Sequence, residues 1–120
     1  MDNTDVYDMK KAVSLPEGNK LSVTYRVEPG CLGPSGASKI VQFCEYAQEN
    51  IQSLDADYIA WNIMPRNDKT LPEMQYSVVG KRMNHAQAEK YLAVFDKNLE
   101  EFEGHLVDKL ALFIDDFMQL

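Results

Sequence analysis

The stretch 99–120 constrains this chain more than any other. Leu99, Phe102, Leu106, Leu110, Phe113, Phe117 and Leu120 recur at spacings of three and four. That is the period of one apolar stripe on an α-helix, close to a heptad seam. A helix over 99–118 built this way has to bury its stripe against another layer, and a sheet is the expected partner. Asn98, with Glu101 three residues on, reads as a capping box that starts it. Gly104 weakens it by up to about 1 kcal/mol relative to alanine. Beside the stripe, Val107, Leu112, Ile114 and Met118 add apolar surface beyond what one contact uses. A homodimer covers the excess most simply, because a two-fold axis sets the patch against itself.

Upstream the period changes. Leu21, Val23, Tyr25 and Val27 alternate with Ser22, Thr24, Arg26 and Glu28, the signature of a strand with one buried face. Pro29-Gly30 stops it. Ile40, Cys44, Ala47, Ile51 and Leu54 then predict a helix over 38–54, with Ser35 or Ser38 available to cap its first turn. A second strand runs from Tyr58 to Met64, with Ile59, Trp61 and Ile63 on one face, and Pro65 ends it. The polar loop Arg66–Glu73 leads to a third strand, Met74 to Val79. A turn at Gly80-Lys81 gives a short return at Arg82-Met83. Asn84 with Gln87 caps a helix over about 85–95.

The N-terminal part is weaker in pattern. Ala12–Leu15 reads as a short strand before a turn at Pro16–Asn19, and residues 1–11 as a flexible lead. The order predicts a single α+β domain over 12–120 in two layers. Its three- to four-stranded, mostly antiparallel sheet has one face covered by helices, including a long C-terminal one. The link between strands 58–64 and 74–79 suggests that these two pair antiparallel. A crossover by helix 38–54 would make its flanking strands parallel and the sheet mixed.

Charge and cysteine usage exclude several function classes. The net charge is −7, from 12 basic and 19 acidic residues, with no basic stripe to offset it. Such a balance repels phosphate backbones and anionic lipid, which argues against nucleic-acid and membrane partners. No apolar run approaches the roughly 20 residues that span a bilayer. The acidic start lacks the order of a signal peptide, so a cytoplasmic protein is expected. Cys31 and Cys44 are then reduced thiols.

One stretch invites a chemical reading. Gly30, Gly33 and Gly36 recur every third residue on the way from strand to helix, followed by Ser38. Backbone N–H groups at such a junction can hold an anion, and Cys31 there is a candidate nucleophile. The spacing matches neither G-x-x-x-x-G-K-[ST] nor G-x-G-x-x-G. Pro29 and Pro34 also remove donors that a phosphate cradle would use, so a structural turn is the preferred reading. Arg26 and Arg66 are the cations that would meet an acidic ligand, alongside Gly30, Gly33, Ser35, Gly36 and Ser38. The other reading pairs these arginines with acids such as Glu28 or Asp68. Cys31, Cys44, His85 and His105 lack the close ligand pairs of a zinc site, so no metal is expected.

If Tyr25, Trp61 and Tyr76 face the helices, the opposite sheet face presents Ser22, Thr24, Arg26, Tyr58, Ala60, Asn62, Gln75 and Ser77. That face is the other surface on which a second copy would dock. With no acid–base pair, triad spacing or cofactor fingerprint, the sequence favours a non-enzymatic domain working through protein contacts as a homodimer, without a cofactor. The alternative is a small-molecule or anion-binding protein, or a thiol-dependent enzyme, centred on residues 30–38.

Overall fold

Strand β1 (Leu21–Val27) lies inside a four-stranded sheet of order β2-β1-β3-β4 in the computed structural model, which describes residues 16–120. The strand expected at 12–15 and the lead at 1–11 lie outside the described residues. On one side β1 pairs parallel with β2 (Ile59–Pro65), Val23 opposite Trp61. On the other it pairs antiparallel with β3 (Met74–Val78), Val23 opposite Tyr76. A hairpin adds β4 (Lys81–Met83) to β3. Two parallel neighbours in sequence require a crossover, and helix α1 (Gly36–Ile51) supplies it. Helices α2 (His85–Ala93) and α3 (Leu99–Met118) complete a second layer. The domain is thus α+β in two layers, with a mixed sheet and a long C-terminal helix.

The strand alternation sets the faces. Leu21, Val23, Val27, Ile59, Trp61, Ile63 and Tyr76 are buried, as are Phe43, Leu92, Leu99 and Leu106 from the helices. Trp61 anchors this core. Its ring stacks on Phe102 at 5.6 Å between centroids, and its indole N–H donates to the Leu54 carbonyl at 2.7 Å. The opposite face shows Ser22, Thr24, Ala60, Asn62, Gln75 and Ser77, all half-buried or exposed. Tyr58 does not join them. Its ring is buried and stacks on Phe95 at 4.5 Å, because it precedes β2 and the strand alternation does not reach it.

Three local expectations are revised. Strands 58–64 and 74–79 do not pair, since β1 lies between them. The eight-residue link 66–73 is long enough to pass the end of β1, a span of roughly 10 Å. Helix α1 ends at Ile51, and Leu54 lies in the turn that follows, where its carbonyl meets Trp61. The β3–β4 turn sits one residue earlier than expected. Val79 and Gly80, with φ of 52° and 74°, occupy the left-handed region that a tight two-residue hairpin needs.

The β2 edge is closed by a side chain. Gln48 of α1 donates its amide to the Trp61 carbonyl at 2.8 Å and accepts from the Ile63 N–H at 2.7 Å. A single amide thereby stands in for a neighbouring strand and leaves that stretch of edge unavailable to another chain. The Gln48→Ala variant is expected to lose about 1–3 kcal/mol, because two backbone groups lose their partners. It should also self-associate, which sedimentation velocity reads directly.

Candidate functional site

The glycine-rich junction folds as a tight turn. Pro29–Leu32 forms one 3₁₀ turn, and Gly33 takes φ 88°, which favours glycine. At Gly36 the constraint is contact: a Cβ there would overlap the Pro29 carbonyl oxygen and lie 2.8 Å from its carbon. Gly30 has open space around it. Ser35, the residue before α1, makes no side-chain cap bond. The Ser38 hydroxyl donates to the Ser35 carbonyl at 2.8 Å. Cys31 is exposed, while Cys44 is buried and burial pushes its thiol up to about 11.

Both candidate arginines bind the link between β2 and β3. Arg26 is buried and donates to the Pro72 carbonyl at 2.7 Å and to the Gln75 side chain at 3.2 Å. Arg66 pairs with Glu28 at 2.8 Å and donates to the Leu71 carbonyl at 3.2 Å. Asp68 accepts from both the backbone N–H and the hydroxyl of Thr70. These contacts hold the eight-residue link as it passes β1. Among the described residues no three His, Cys, Asp or Glu side chains cluster as metal ligands. None of their helices is long and apolar enough to cross a membrane.

A different constellation comes together at the β3–β4 side of the sheet. An open cleft of about 580 Å³ lies where β4 ends and the chain turns into α2. Met74 and Tyr76 from β3, Arg82 and Met83 from β4, His85 from α2 and Glu103 from α3 line it, together with Asn84 and Gln87. The Tyr76 hydroxyl donates to Glu103 Oε2 at 2.6 Å and lies 2.8 Å from the Met74 sulfur. The other oxygen of Glu103 is 3.8 Å from His85 Nε2. Burial, followed by the hydrogen bond to Glu103 and its charge, holds the Tyr76 phenol well above its ordinary range. The phenol therefore stays a neutral donor that orients the carboxylate. Asn84 and Gln87 form the expected capping box, so these two side chains are committed to the helix start.

Sequence reasoning placed Tyr76 on the helix-facing side and singled out His85, but it missed Glu103. The signal for Glu103 was slight: an acid flanked by the core residues Phe102 and Leu106 sits at the stripe's margin and can reach the sheet.

Helix α3 also carries a second apolar stripe. Taking about 100° per residue, Val107, Ala111, Ile114 and Met118 share one line along the helix, roughly a quarter turn from the buried stripe. Val107 is 53% exposed and Met118 43% exposed, and Ile114 is half-buried. On the same wheel Leu112 falls on the opposite flank. There it lines a shallow hollow of about 250 Å³ with Leu54, His105, Asp108 and Lys109. The chain matches no protein-family model, no curated protein and no solved structure.

Proposed function

We propose that the domain is a docking module, and that the second stripe of α3 receives a basic amphipathic helix from a partner protein. The observation that carries this reading is the composition of the stripe and its borders. Val107, Ala111, Ile114 and Met118 repeat at spacings of four, three and four, the register in which one helix lies along another. Glu100 and Glu103 continue the line toward the N-terminus, and Asp108 and Asp115 border it. Lys109, the only lysine of α3, points to the far side of the wheel. On α3 itself the charged residues that edge this apolar track are acids, which suits a partner helix edged by Lys and Arg.

Charge decides against a second copy as the occupant of this track. A two-fold pairing would bring Asp108 and Asp115 toward the same residues of the other copy, and like charges across an interface oppose association. The opposite flank supports a second reading. At the Leu112 hollow, Asp108 and Lys109 carry opposite signs, so a two-fold axis there would match acid to base. Homodimerisation is proposed through that flank. We also propose a cytoplasmic location, because two free thiols, Cys31 exposed and Cys44 buried, suit a reducing compartment.

A pair of designed helical peptides tests the docking reading. Both carry the same apolar residues, one flanked by lysines and the other by glutamates. Fluorescence anisotropy should show the lysine peptide binding at least tenfold more tightly at low salt. That advantage should shrink near 0.15 M salt, where the screening length falls to about 8 Å. Equal affinities, or no binding by either peptide, would refute it. Sedimentation equilibrium of the wild type and of Leu112→Glu tests the dimer: a monomeric wild type would contradict it.

A further inference from the structure

We infer that the Glu103 cleft is a receptor for a guanidinium group on an apolar stem, an arginine side chain of the docked helix. This inference rests on the docking reading above and deepens it. The stripe on α3 runs from Met118 through Val107, and Glu103 lies one helical turn further toward the N-terminus. A helix lying on the stripe therefore meets the cleft at its end.

The chemistry of the lining fits that head group. Glu103 is half-buried, and its Oε2 already accepts from Tyr76 at 2.6 Å. That bond fixes the carboxylate plane, and a fixed carboxylate matches the planar fork of a guanidinium better than the point charge of an ammonium. Among the described residues the cation that Oε1 meets is His85, at 3.8 Å, beyond hydrogen-bond range. Met74 and Met83 supply thioethers along the walls, adaptable apolar surface for the methylene stem. The volume of about 580 Å³ exceeds one arginine side chain, so the head group enters with water around it. Among the described lining residues Arg82 carries a permanent positive charge, which opposes a second cation.

That opposition gives the test its sign. Nα-acetyl-arginine amide, titrated alone against the ¹⁵N-labelled chain, probes the cleft independently of the stripe. Shifts are expected at Met83, His85 and Glu103. Glu103→Gln should weaken binding about tenfold or more, and Arg82→Gln should strengthen it. Tyr76→Phe should weaken binding without changing the fold, as judged by unchanged shifts in β1 and β2. In the second arm, the lysine-flanked peptide gains an arginine at its cleft end, with citrulline as the comparison. A several-fold advantage for arginine that disappears in Glu103→Gln supports the inference. A peptide that binds equally well with either residue overturns the inference and leaves the docking reading standing. No peptide binding, with the free arginine derivative still shifting the cleft, sinks the docking reading and leaves a site for a free guanidinium compound. Weaker binding in Arg82→Gln would overturn the cation reading, because removing a positive charge from a guanidinium receptor strengthens its binding of a cation.

Discussion

Replacing Gly36 with alanine is expected to destabilise the domain by about 3 kcal/mol or more. The expectation runs against helix propensity, which favours alanine over glycine by up to about 1 kcal/mol inside a helix. Contact decides the sign. A Cβ at Gly36 overlaps the Pro29 carbonyl oxygen and lies 2.8 Å from the carbonyl carbon. The obstacle is backbone, which cannot swing aside as a side-chain tip does. Relief requires the 3₁₀ turn at Pro29–Leu32 to separate from the first turn of α1, which would uncover the buried Leu32. Thermal unfolding should show Tm falling by roughly 10 °C or more. Gly104→Ala is the internal comparison. It has open space in the middle of α3, so it should gain about 0.5–1 kcal/mol. An unchanged Tm in Gly36→Ala would mean that the strand-to-helix junction is looser than described.

Truncating Phe102 to alanine should remove about 3–5 kcal/mol, a large share of the roughly 5–15 kcal/mol that holds a domain of this size. Phe102 is 4% exposed and stacks on Trp61, their planes 11° apart. Its loss opens a cavity at the contact between α3 and β2. Trp61 is the only tryptophan of the chain and is 5% exposed, so its fluorescence reports the cavity without a label. A red-shifted emission in the folded variant, with a lower denaturant midpoint and little change in slope, is the expected outcome. A variant as stable as the wild type would mean that α3 does not roof the sheet through this contact.

The parts of the fold that the sequence revealed are those where one residue type repeats at one period. Leu99 to Phe117 announce α3 because their apolar spacing has no strand-like alternative over 20 residues. Its bounds, Leu99–Met118, match the expectation. The alternation at Leu21–Val27 and at Ile59, Trp61 and Ile63 gives two strands and their buried faces for the same reason. Asn84 with Gln87 marks the start of α2 because the cap is local chemistry, with both hydrogen bonds inside four residues.

What escaped depends on residues far apart in the chain. The helix between the first two strands allows a parallel crossover, but no local pattern states that the eight-residue link then carries β3 to the far side of β1. Gln48 lies among the polar residues of α1, and nothing near it in sequence shows that its amide meets a strand edge fifteen residues away. The cleft was hidden for the same reason: Tyr76 and Glu103 are 27 residues apart and meet only after α3 lies across β3. Arg26 and Arg66 illustrate the converse. Their charge was visible, but the carbonyls of Pro72 and Leu71 that receive them were not.

The most direct test of the account is an amide shift map of the ¹⁵N-labelled protein titrated with the lysine-flanked helical peptide at low salt. A continuous track of perturbed residues along Val107, Ala111, Ile114 and Met118, ending at Glu103, is expected, weakening as salt is raised. Perturbations confined to the open sheet face or to residues 30–38, with α3 unmoved, would contradict it.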